Sequence, residues 1–86
     1  MRELHLVYNS LSKGYVYYEG KKDGPQHNRQ EWNPSELIYG LKQTLPLKRK
    51  GQSFLYLSGI DGKIFLEIYK LLKGSKISLE AKSQSN

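Results

Sequence analysis

The chain has 86 residues, 14 of them Lys or Arg and 8 Asp or Glu, for a formal net charge of +6. That length suits one domain with one modest core, and with no Cys there is neither a disulfide framework nor a thiolate metal site. No apolar run is long enough to span a bilayer and no charged-then-apolar leader is visible, so the expectation is a cytoplasmic chain with no membrane partner.

Residues 3–8 alternate, with Leu4, Leu6 and Tyr8 on one face and His5 and Val7 on the other, which predicts a strand. A turn-rich stretch, 9–14, leads to a second strand over 15–19, aromatic and β-branched, and the two make an antiparallel hairpin. Residues 20–32 have no periodicity, two Gly and a Pro, and they carry Lys21, Lys22 and Arg29. They read as a long connection without structure, of the kind that is functional or disordered.

Asn33-Pro34-Ser35-Glu36 spells a helix start. Asn33 caps, Pro34 sits where no donor is missed, Glu36 reaches back to the cap, and Trp32 and Leu37 occupy the staple positions. The helix runs to about Leu45 and stops at Pro46, with Gly40 inside it marking close packing. Lys42 lies near its end, and Lys48, Arg49 and Lys50 form a basic loop after it.

The densest apolar stretch is 53–81, which reads as strand, helix, strand. Phe54-Leu55-Tyr56-Leu57 is apolar on both sides of the alternation, as in a central strand covered on both faces. Either Ser58 with Asp61 as a capping box, or Asp61 alone as N-cap, starts the second helix. That helix carries Lys63, Glu67, Lys70 and Lys73 as one narrow polar stripe on an apolar cylinder, so it needs cover from the sheet and from a further element or partner chain. Gly74 fits a left-handed C-cap, and 76–80 alternates as an edge strand, parallel to its predecessor if the crossover is right-handed. Residues 82–86 form a frayed polar tail. The expected fold is therefore a single α/β domain over 1–81, order ββαβαβ, with a four-stranded mixed sheet and two helices.

Few residues point to chemistry. Lys21, Lys22, Arg29, Lys42, Lys48, Arg49 and Lys50 could form one surface that neutralises phosphates, against the plainer reading of solvated loops that keep a small protein soluble. Tyr15, Tyr17 and Tyr18 could stack bases, but cross-strand packing accounts for them more simply. Trp32 could anchor a partner, yet its staple position is a complete structural reason. His27, Arg29 and Glu31, with His5 elsewhere, contain the parts of a metal-independent, toxin-type ribonuclease, though a mobile loop holds such groups poorly. Gly59-Ile60-Asp61-Gly62 reads as a helix-start turn and not as a phosphate loop. Two His and no Cys give no basis for a metal, and no cofactor motif is present.

These readings favour a small, basic, non-enzymatic binding protein. Its expected partner is RNA or single-stranded DNA, or an acidic protein surface, with the contact made through the two basic loops and Trp32. The alternative is a protein-interaction module, an antagonist or adaptor, possible also as a homodimer.

Overall fold

In a computed structural model, residues 2–81 are described; the tail expected over 82–86 lies outside them. The strand through Leu4 and Leu6 (β1, Arg2–Asn9) becomes the middle of a five-stranded sheet. It pairs antiparallel with β2 (Gly14–Glu19) on one side and parallel with β4 (Ser53–Ser58) on the other. β3 (His27–Trp32) adds antiparallel to β2 and β5 (Ile77–Ala81) adds parallel to β4, for a spatial order β3-β2-β1-β4-β5. The fold is thus a small α+β domain with a mixed sheet and two helices, α1 (Leu37–Thr44) and α2 (Gly62–Leu72).

Register explains the core. Leu4 lies opposite Glu19 and Leu55, and Leu6 opposite Tyr17 and Leu57; direct partners point to the same face. That face packs with Leu37 and Leu41 of α1 and with Ile68 and Leu72 of α2 in one buried cluster, so both helices cover the same side of the sheet. Tyr15 and Tyr17 belong to this cluster, as the packing reading of the tyrosines requires.

The local signals work as physics dictates. Asn33 Oδ1 accepts from the Glu36 N–H at 3.0 Å, and Glu36 Oε1 accepts from the Asn33 N–H at 3.2 Å, closing the capping box. The first turn, Pro34–Glu36, is a 3-10 turn that leads into α1. For α2 the second of the two possible starts is used: Asp61 Oδ1 accepts from the Ile64 N–H at 2.9 Å. Gly74 ends the segment after α2 at φ +87°, the left-handed value that favours glycine. Gly40 sits under Trp32: a Cβ there would lie 2.3 Å from the indole Cε2.

Two expectations need correction. The sheet has five strands, because the supposed loop 20–32 contains β3. Five of its six residues are exposed, so it has no apolar alternation to read; backbone pairing with β2 along a sheet edge holds it. β4 is interior to the sheet but is covered on one face alone. Ser53, Leu55 and Leu57 are buried, while Phe54, Tyr56 and Ser58 are half-buried on the side away from the helices. There the rings pack on one another: His5 stacks on Tyr18 at 4.6 Å and on Tyr56 at 5.3 Å between centroids. An aromatic row across three strands can occupy a helix-free face, which the apolar run alone does not reveal.

Candidate nucleic-acid interface

Strand direction decides where the basic loops go. β2 ends where β1 begins, since Leu4 faces Glu19, and β4 begins beside the start of β1, since Arg2 faces Ser53. The loop after β2, with Lys21 and Lys22, and the loop before β4, with Lys48, Arg49 and Lys50, therefore open at the same end of the sheet. The start of β5 joins them, because the Ser53 N–H donates to the Lys76 carbonyl at 3.1 Å. Lys21, Lys22, Lys48, Arg49 and Lys50 are all exposed.

Lys22 and Lys48 are more than twenty residues apart in sequence, and a hydrogen-bonded network lies at the sheet end where their loops open. Glu19 is buried, with one carboxylate oxygen accepting from Arg2 and from Asn28 Nδ2 (3.2 Å), and the other accepting from the Tyr17 hydroxyl (2.7 Å). Burial, then the hydrogen bond to Glu19, pushes the Tyr17 phenol far above its ordinary value, while the charges of Arg2 and Arg49 act the other way. Asn28 adopts φ +52° at a bulge where pairing steps from Tyr17–Gln30 to Glu19–His27. Asn tolerates this left-handed geometry better than most residues. Arg2 and Glu19 also line a cleft of about 610 Å³ with Lys21, His27 and Asn28.

Around α1, Lys42 shares a shallow groove with Lys48 and Arg49, over Leu45, Pro46 and Leu47. Lys42 also has a structural reason to be there, being in the last turn of the helix, where a cation offsets the exposed carbonyl ends. Lys21, Lys22, Lys48 and Lys50 have no such helix end to serve. The acids at this end are Glu3, Asp23 and the engaged Glu19.

Two of the candidate residues stand apart. Arg29 lies along β3, ion-paired with Glu31, and borders a groove with Val7, Val16 and Tyr18 on the helix-free face. Trp32 lies at the far end of the sheet, opposite Tyr15, with its ring stacked 5.7 Å from Tyr17 and packed over Gly40. Arg2 and Lys76 are the residues the sequence reading missed. Both flank strands, and nothing short of the sheet register would have joined them to the loops.

The residues of the ribonuclease reading are arranged differently from an extended strand. The extra residue at the bulge ends the alternation, so His27 pairs with Glu19 on the core side whereas Glu31 pairs with Val16 on the opposite side. His5 is buried, and its Nε2 lies 3.0 Å from the Gly20 carbonyl and 3.4 Å from Glu3 Oε1. Among the described residues no group of three or more His, Cys, Asp or Glu could hold a metal ion, and no helix is long and apolar enough to cross a membrane. Comparison with known proteins finds no matching family model, no matching curated protein and no matching solved structure.

Proposed function

We propose that this chain is a non-catalytic binding protein for single-stranded nucleic acid, contacting the phosphate backbone with the basic end of its sheet. The observation that supports the reading most is the convergence of the two basic loops, 20–26 and 45–52, with Arg2 and Lys76 at one end of the strands. Lys and Arg clustered in this way neutralise phosphates and release condensed counterions, the source of sequence-independent affinity. Single strands suit the surface better than duplex: the loops are short and irregular, and no helix or ribbon projects from this end to enter a groove.

A backbone amide titration with a labelled single-stranded oligonucleotide, followed by NMR at low salt, tests the reading. The expected result is that shifts concentrate in Gly20–Gln26, Leu45–Gln52 and the starts of β1 and β5. Shifts confined to α2, or none at all, would contradict it and leave the charge as a solubility device. The protein-interaction reading draws its support from α2, whose Leu66 and Tyr69 are 50% and 53% exposed.

A further inference from the structure

The two edges of the sheet are built differently. β3 is bulged at Asn28 and carries an Arg29–Glu31 ion pair, features that hinder further pairing. β5 is regular, and its ladder to β4 continues from Ser53–Ile77 to Leu57–Ala81. The Lys76 carbonyl accepts from Ser53, so it points inward. In a parallel pair the N–H and C=O of one residue point the same way and successive residues alternate, so Ile77 and Leu79 direct their backbone groups away from β4. The Ile77 N–H donates to Ser75 Oγ at 3.2 Å, which leaves the Leu79 N–H and both carbonyls turned to the edge.

We propose that this edge is a homodimer interface, in which β5 pairs antiparallel with β5 of a second copy about a two-fold axis at Ser78. The strand is self-complementary under that two-fold. The strand reads Lys76-Ile77-Ser78-Leu79-Glu80. Centred on Ser78, the pairing sets Lys76 opposite the partner's Glu80 and Ile77 opposite the partner's Leu79, and the symmetry repeats both contacts. Ile77 and Leu79 then form the hydrogen-bonded pairs, with the Ile77 N–H exchanging Ser75 Oγ for the partner strand's carbonyl. A shift to Ile77 as the centre would set Lys76 opposite Ser78 and lose both ion pairs. Edge charges ordinarily discourage pairing. Here their signs match under the two-fold and favour one register.

The surface beside the strand fits the same occupant. Ile77 and Leu79 face the helix layer and line an apolar groove of about 530 Å³ with Phe65, Tyr69 and Leu72 of α2. An antiparallel pair keeps directly opposed side chains on one face, so the partner's α2 arrives on the same side of the joined sheet. Tyr69 then gains the second source of cover that the α2 pattern calls for, while the polar Lys73 stays at the rim. The basic ends of the two copies point in opposite directions along the strands, which keeps the Lys48 loops apart.

The test is the molar mass by sedimentation equilibrium across concentration, at physiological salt, of the whole chain (10.0 kDa). The natural chain should approach twice the monomer mass by about 100 μM, as a small transient interface would. Glu80→Lys, at an exposed position, sets like charges opposite and should weaken association at least ~tenfold. Adding Lys76→Glu restores complementary signs in the reversed sense and should bring affinity back to within about threefold of the natural chain. Leu79→Pro removes an outward N–H without touching the β4 ladder, and should leave a monomer with the native amide spectrum. A natural chain that stays at the monomer mass at several hundred micromolar, or a dimer that is indifferent to Glu80→Lys, would overturn the proposal. These readouts involve no nucleic acid, so they stand or fall apart from the binding function.

Discussion

The two ends of the sheet use charge in different ways. At the end where β1 and β4 finish, several polar groups serve the backbone, beside the exposed Lys13 and Lys63: Asn33 and Glu36 cap the turn that leads into α1, Asp61 caps α2, and Asn9 Oδ1 accepts from the N–H groups of Leu11 and Ser12 in the turn. At the opposite end one buried carboxylate, Glu19, is fully occupied by Arg2, Tyr17 and Asn28, and the loop cations around it have no backbone task. A charge that caps a helix has a local explanation. A charge in an exposed loop, gathered with others by the fold, has no such local explanation.

Variants can break or sharpen this contrast. The largest effect is expected from reversing Lys48, Arg49 and Lys50 together to Glu: affinity for a single strand should fall about 100-fold, or ~2.7 kcal/mol, with the melting temperature little changed. Next is Tyr17→Phe, which takes a donor from buried Glu19 and should cost about 1.5–3 kcal/mol of stability in a denaturant titration. The same variant has a pH signature. The phenol's value is raised in the fold above the ordinary 10.0, so the native chain keeps a proton that the unfolded chain sheds. Its contribution is intact below pH 10 and is lost as pH rises beyond that, and Tyr17→Phe should flatten this alkaline loss of stability.

At the other end, Asn33→Ala should cost about 1 kcal/mol of stability through the lost cap and leave binding unchanged. Smallest of all, Lys13→Glu with Lys63→Glu alters net charge by as much as two of the loop reversals. These residues sit in the β1–β2 turn and at the start of α2, away from the proposed interface. Their reversal should change affinity by less than about threefold once salt screens charges beyond ~10 Å. A loss comparable to that of the loop variant would mean that net charge, and not a site, drives binding.

Much of the fold is legible in the residues because the signals are local. Asn33-Pro34-Ser35-Glu36, Asp61 and Gly74 each carry their own backbone logic, and the alternation of Leu4, Leu6 and Tyr8 carries a buried face. β3 is not legible, since an edge strand with polar side chains is held by its neighbour's backbone and needs no pattern of its own. The helix-free face is also hidden: Phe54 and Tyr56 look like core, and only the cross-strand partners show that they join His5 and Tyr18 in a separate row. For the candidate interface, the two loops are visible as basic stretches, but their convergence with Arg2 and Lys76 depends on parallel pairing between distant strands. Trp32 belongs to the packing of α1 on the sheet, at the end away from those loops. Its fluorescence is therefore a poor reporter of contacts there, and a label on the oligonucleotide serves better.

The most direct test of the basic-end reading is the salt dependence of single-strand binding, measured by anisotropy of a labelled oligonucleotide for the natural chain and for the variant reversed at Lys48, Arg49 and Lys50. With about four phosphates neutralised, log affinity against log salt should fall with a slope near −3 for the natural chain, and markedly less for the variant. Equal slopes, or no binding by the natural chain at low salt, would contradict the account.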